Sequence, residues 1–285
     1  MDRLNGLNVI HVAGTKGKGT TCAYLDAIFR AHRDRHRESG HPAKVGLYTS
    51  PHLKYVRDRI QIDSHPISEE LFAQYFFDVW DRLEMDHRRE SRSTLLPGYF
   101  HFLTLMAFHT FIKENVTLTI LETGVGGEYD ATNVVEKPVA TGITRLGIDH
   151  TPTLGSTLSD IAWHKSGIIK PGCSAFTVDQ PPEAMQVLRK RATEKGSPLI
   201  EELHDLRLSC LTGTALTNAS LALSLASTVI GSENIATYVS VLEQTDVLGR
   251  RQLLDQGDDM WYLDGAHNEV SLEAAAEWFA EATNR

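Results

Sequence analysis

The 285-residue chain is 41% hydrophobic, 8% aromatic and 23% charged, the composition of a globular protein with a buried core rather than a disordered, fibrous or membrane-embedded one. Its 28 Lys and Arg stand against 37 Asp and Glu, a formal charge of −9, which argues against a surface built for nucleic acid or an anionic membrane. Cys22, Cys173 and Cys210 show neither CxxC nor zinc-finger spacing, which argues against a disulfide framework or zinc module and for a reducing, cytosolic compartment.

In chain order, residues 7–12 form a short apolar run ending near glycine, 18–32 read as a helix, and 44–48 and 118–121 as further strands. The charged stretch 30–38 reads as a solvated helix end. Ser68 stands as an N-cap with Glu69 and Glu70 in the first turn, and Leu71, Tyr75, Val79 and Leu83 keep one helical face. Residues 99–114 are apolar nearly all round, which predicts a buried helix. Strands at 139–143 and 175–178 alternate with helices at 183–195 and 215–230; a strand at 261–263 and an amphipathic helix at 269–282 follow. Such alternation predicts an α/β fold with a mostly parallel sheet. No apolar run approaches the roughly 20 residues of a membrane span, and residues 1–7 carry no leader pattern.

The sharpest signal is Val9-Ile10-His11-Val12-Ala13-Gly14-Thr15-Lys16-Gly17-Lys18-Gly19-Thr20-Thr21. A strand feeds a glycine-rich turn that opens a helix, so backbone N–H groups and the positive helix end face one point where a polyphosphate can sit. Lys18 is placed for the β/γ-phosphates, and Thr20 or Thr21 offers a hydroxyl to Mg²⁺. The spacing departs from the standard P-loop, with Gly19 directly after the lysine.

Gly14-Thr15-Lys16-Gly17-Lys18-Gly19-Thr20 resembles the nucleotide loop of the folylpolyglutamate synthases, members of the Mur ligase superfamily, and further segments match in order. They are residues 48–53 with Arg57-Asp58-Arg59-Ile60, residues 121–133, residues 146–151, residues 161–172, and Leu263-Asp264-Gly265-Ala266-His267-Asn268. The match is strongest to the eukaryotic branch. It implies a P-loop-containing, Mur-ligase-like central domain that joins L-glutamate to the γ-carboxylate of a folate such as tetrahydrofolate, using ATP and Mg²⁺, with a monovalent cation as a further option. It also implies a monomer, cytoplasmic with mitochondrial forms left open for the family, that needs neither nucleic acid nor membrane.

The resemblance assigns roles residue by residue. Ser50, Glu122 and His150 align with Mg²⁺ ligands, although His150 by itself reads as a structural histidine. Lys165 aligns with a lysine that is carbamylated to help hold a second metal, which requires an amine whose pKa is depressed. Asn218, Arg250 and Asp264 align with ATP contacts, and His267 with the last step of the reaction. Tyr99 and Phe100, with Tyr129 and Asp130, align with two pterin-contacting segments; read alone, Tyr99 and Phe100 are core aromatics. The chain departs from the family at His101, at His164 and at Val247-Leu248 before Gly249-Arg250. Family members continue well past the Asp-Gly-Ala-His-Asn motif. The expectation is therefore an ATP- and folate-binding domain over residues 1–245 and, at 246–285, the start of a truncated, Rossmann-like glutamate-binding domain. Two further readings stay open: a nucleotide- and folate-binding chain without ligase turnover, and an amide ligase with another substrate.

Overall fold

A computed structural model of the chain describes residues 2–36, 42–89, 96–204, 211, 213–266 and 269–283. After the single turn α1 (Asp2–Asn5), the apolar run becomes β1 (Val9–Ala13), buried along its whole length, and the glycine turn leads into α2 (Lys18–Arg35). The other sheet strands are β2 (Val45–Tyr48), β3 (Ile60–Ile62), β4 (His65–Pro66), β5 (Leu118–Glu122), β6 (Ala140–Ile143), β7 (Ser174–Thr177) and β8 (Leu199–Ile200). They form one eight-stranded sheet in the order β4-β3-β2-β5-β1-β6-β7-β8. Neighbours from β2 to β8 pair in parallel, and β3 and β4 add an antiparallel edge.

Parallel strands buried on both faces need helices on both sides. Gly142 lies beneath Leu225 of α8 (Gly213–Ile230), while the next residue, Ile143, joins a cluster with Leu158 and Leu188 from α6 (Leu158–Lys165) and α7 (Pro182–Glu194). Alternation along one strand thus separates the two helical layers. On the β2 side, α3 (Glu69–Arg89) and α4 (Tyr99–Lys113) bury Tyr75, Val79, Met106 and Phe111 with Tyr48 and Val9. Ser68 caps α3 as its sequence indicates, its Oγ accepting from Leu71 N–H at 3.2 Å. The apolar α4 and α8 are core helices. α5 (Thr151–Leu154) and α9 (Val239–Glu243) are short connecting pieces.

The charged stretch is an exposed helix end as expected: α2 closes at Arg35, with Arg30, Asp34, Arg35 and His36 exposed, while Arg33 pairs with Asp63 and Arg35 donates to the Thr237 carbonyl at 3.0 Å. Residues 37 and 38 of that stretch lie outside the described residues.

The chain divides into two compact units, Met1–Glu243 and Gln244–Arg285. In the second, β9 (Gln252–Asp255) and β10 (Met260–Leu263) form an antiparallel pair, and Tyr262 meets Phe279 of α10 (Glu269–Thr283) at a ring separation of 4.9 Å.

Candidate functional site

In the sheet order, β1 has β5 on one side and β6 on the other, so the crevice beyond its carboxyl end is a topological switch point, where open α/β sheets place their ligands. The loop there is Gly14–Gly17. Gly17 has φ +91°, and a Cβ on it would lie 2.6 Å from the Asn218 amide nitrogen; only glycine lets α8 bring Asn218 this close. Thr15 and Lys16 N–H both point at the Arg145 carbonyl, at 3.1 and 3.2 Å, and the Thr15 hydroxyl donates to Gly147 O while accepting from Gly147 N–H. These bonds tie the loop to the segment after β6. The first N–H of α2 with an intrahelical acceptor is that of Thr21, bonded to Gly17 O at 2.8 Å. The N–H groups of Lys18, Gly19 and Thr20 are therefore the ones the helix end presents to an anion. Thr21 is wholly buried and Thr20 is not, so of the two hydroxyls that of Thr20 is the accessible one.

Two lysines converge on one atom. Lys18 Nζ donates to the Gly14 carbonyl at 3.1 Å and Lys165 Nζ to the same oxygen at 2.8 Å. Lys165 is only 2% exposed, and burial, reinforced by the neighbouring Lys18 charge, lowers its pKa to about 7. Its position is set from outside the loop. Glu128 N–H donates to His164 O at 2.7 Å, Asn133 Nδ2 to Glu128 O and Gly167 O, and Lys195 Nζ to Gly167 O and Ile169 O. Arg191 pairs with Glu128 and stacks over Trp163. The segment after β5 and the end of α6 are thereby clamped together.

Glu122, 3% exposed at the end of β5, accepts from Ser50 N–H at 2.9 Å, and both of its carboxylate oxygens lie 3.8 Å from where a Gly19 Cβ would stand. A buried carboxylate against the phosphate loop, beside a serine, is a donor set suited to Mg²⁺, which takes one or two carboxylates and completes its shell with water and phosphate. His150 is exposed, with φ +50°, at the start of α5. Among the described residues it joins no group of three His, Cys, Asp or Glu able to hold a metal.

The aromatic segments meet around Tyr48. Phe100 lies 6.0 Å from the Tyr48 ring and so close to Gly124 that a Cβ there would be 2.5 Å from it. Burial pushes the Tyr48 hydroxyl up to about 12, and the charges of Arg59 and Asp130 and the Tyr99 hydroxyl all act on it. Tyr99 is 59% exposed, so the reading of Tyr99 as a core aromatic is overturned: it opens α4 at the protein surface. Tyr129 is 76% exposed, with its ring against Trp163 and His164. Asp130 caps the turn Ala131–Val134; Oδ1 accepts from Thr132 N–H and Oγ–H, and Oδ2 from Val125 N–H.

No family model matches the sequence. Curated folylpolyglutamate synthases of Neurospora crassa and Saccharomyces cerevisiae are 47% and 43% identical to it over 295 and 302 residues, covering 98% and 97% of the chain. Over nearly its whole length the chain is similar to folylpolyglutamate synthases. It spans about half the length of these curated relatives, 55% and 54%. Among solved structures, the Mycobacterium tuberculosis folylpolyglutamate synthase complexed with ADP and AMPPCP aligns with a TM-score of 0.83 at 25% identity, over 98% of this chain and 70% of that one. The Thermotoga maritima folylpolyglutamate synthase gives 0.76 at 26% identity, with the same coverage.

The loop, Ser50, Glu122, Lys165 and Asn218 come together in the Met1–Glu243 unit. Arg250 and Asp264 lie in the other unit, where Asp264 accepts from Arg251 N–H at 2.9 Å and Gly265 packs on the Arg250 guanidinium. His267 lies outside the described residues. Two residues of the site carry no assignment from the sequence. His11, in the middle of β1, is wholly buried and places Nε2 2.8 Å from the Thr132 hydroxyl, which already donates to Asp130; the ring therefore donates, and burial lowers its pKa to about 3. Arg59 donates its Nε–H to His52 Nδ1 at 2.9 Å and lies over the Tyr99 ring. Both stand inside sequence motifs, His11 in the strand before the glycine loop and Arg59 in Arg57-Asp58-Arg59-Ile60, but neither carries a periodicity signal that would single it out.

Proposed function

We propose that this chain binds ATP, Mg²⁺ and a folate, and catalyses ATP-dependent joining of L-glutamate to the folate γ-carboxylate. The observation that carries the reading is the convergence of Lys18 and Lys165 on Gly14, with Glu122 buried against Gly19. The identities to curated folylpolyglutamate synthases support it. Phosphates displace the Gly14 carbonyl as the partner of Lys18, while the N–H groups at the start of α2 take phosphate oxygens. The folate γ-carboxylate attacks the γ-phosphorus, the bond to ADP breaks, and an acyl phosphate forms. The glutamate amine then attacks the acyl carbon, inorganic phosphate leaves, and the amine loses a proton as the amide forms.

Mg²⁺, held by Glu122 and Ser50, would supply charge neutralisation at the phosphates. Lys165, with its pKa near 7, is neutral in a large fraction of molecules at physiological pH, the state in which an amine takes up CO₂. Phe100 and exposed Tyr99 and Tyr129 offer ring faces to a flat heterocycle, and Asp130 Oδ2 has acceptor capacity for its N–H groups. Incubating the chain with ATP, Mg²⁺, tetrahydrofolate and glutamate should add the mass of one glutamyl unit to the folate. Absence of that product, with Mg-ADP binding intact, would overturn the ligase reading in favour of a binding protein.

A further inference from the structure

Arg59 is the one residue of the loop after β2 whose burial is unexplained by its partners. It is 8% exposed, yet it takes part in none of the ion pairs among the described residues. Its charged neighbours each have a partner within the chain, although Arg57 Nε is buried without a hydrogen bond. Arg57 reaches Glu69 at 3.9 Å and the Ile67 carbonyl at 3.1 Å, and the Asp58 carboxylate accepts from Lys54 and Tyr55 N–H. A guanidinium taken out of water without a counter-ion is costly, and in a chain of net charge −9 a cation so placed calls for an anion from outside.

The geometry says which kind of anion. Thr49 N–H donates to Arg59 O at 3.0 Å, which fixes Arg59 beside Ser50 at the mouth of the crevice. His52 accepts the Arg59 Nε–H at Nδ1, so a neutral His52 carries its own proton on Nε2 and adds a second donor. Tyr99 lies over the guanidinium at 5.5 Å, leaving the in-plane N–H fork as the recognition edge. A planar fork next to an imidazole N–H fits a carboxylate. The lysines that would meet the transferring phosphoryl group converge on Gly14, and Arg59 is not one of them. We propose that Arg59 and His52 form a carboxylate-binding site that holds the non-reacting α-carboxylate of the substrate's glutamyl tail, with Tyr99 as its wall. This rests on the folate reading given above.

The test is equilibrium binding of folate, folate α-amide and folate γ-amide to the purified chain, with Mg-ADP binding measured in parallel. The parent should prefer folate to the α-amide by about tenfold or more, as expected for a charge-assisted fork. Arg59→Met should bring the two ligands within about twofold, with Mg-ADP affinity unchanged. Arg59→Lys, which keeps the charge without the fork, should retain part of the preference and carries the comparison if the methionine variant does not fold. Equal weakening of folate and α-amide in either variant would overturn the proposal, as would a parent preference directed only against the γ-amide. A parent that binds Mg-ADP but none of the three folates would overturn the folate reading itself, a separate outcome.

Discussion

Replacing Lys165 by methionine probes the electrostatic design of the site. Folding moves the Lys165 pKa from 10.5 to about 7. Between these values the unfolded chain holds a proton that the folded chain has released, so stability rises with pH across the window. Below pH 7 both states are protonated and the full cost is present; at about 1.36 kcal/mol per pH unit it amounts to roughly 4–5 kcal/mol. At pH 9 only about 1.5 pH units of the window remain, or roughly 2 kcal/mol. Methionine fills a similar volume, does not titrate and loses the hydrogen bond to Gly14, whose change in strength on deprotonation is already contained in the pKa shift. The stability advantage of Lys165→Met over the parent should therefore shrink by roughly 2–3 kcal/mol between pH 6 and pH 9. That corresponds to a relative change in melting temperature of about 5–10 °C for a unit of this size. Urea unfolding at the two pH values, in magnesium-free and CO₂-depleted buffer, measures it. A difference that stays constant with pH, or grows toward pH 9, would refute the reasoning. Glutamate addition should be lost in the same variant.

Four other substitutions follow from the same geometry. Gly17→Ala forces a left-handed conformation on alanine and drives its Cβ toward Asn218; it should cost about 2 kcal/mol and weaken Mg-ADP binding by about tenfold, read by calorimetry. Gly167→Ala places a Cβ 2.6 Å from Glu128 Cβ and closer still to its backbone, so about 3 kcal/mol or more should be lost. Gly172→Ala, at φ +73° in open space, should lose only about 1 kcal/mol, and equal losses would sink the steric account. His11, held at about 3 against an ordinary 6.5, makes stability fall as pH drops through that interval, by up to about 1.4 kcal/mol per pH unit. His11→Gln keeps an N–H toward Thr132 and removes the titration, so the stability-versus-pH curve between pH 6 and pH 4 should flatten; an unchanged slope would exclude this role for His11.

The long elements were legible because their pattern is local. Residues 44–48 and 118–121 appear as Val45–Tyr48 and Leu118–Glu122, and the apolar stretch from 99 as Tyr99–Lys113. The β3–β4 edge and β8 were not, since strands of two or three residues have too few positions to alternate, and the turn at Asp63 and Ser64 takes positive φ without a glycine to announce it. In the site, the glycine loop and Glu122 could be read from the string. The shared Gly14 acceptor could not, because 151 residues separate it from Lys165. Exposure was equally hidden: Tyr99 sits in an apolar run yet opens to solvent because it occupies the first turn of its helix, where Gly98 leads in.

The placement of β1 between β5 and β6 also governs how the site comes into being. Residues 17, 50, 122, 165 and 218 are contributed by segments far apart in the chain, and the contacts among them wait on parallel pairings that close long loops. No hairpin or helix pair formed early in folding contains more than a fragment of the constellation. Nucleotide should therefore have little to grip until the sheet is nearly assembled, and should stabilise the finished fold by slowing its unfolding rather than by hastening its formation.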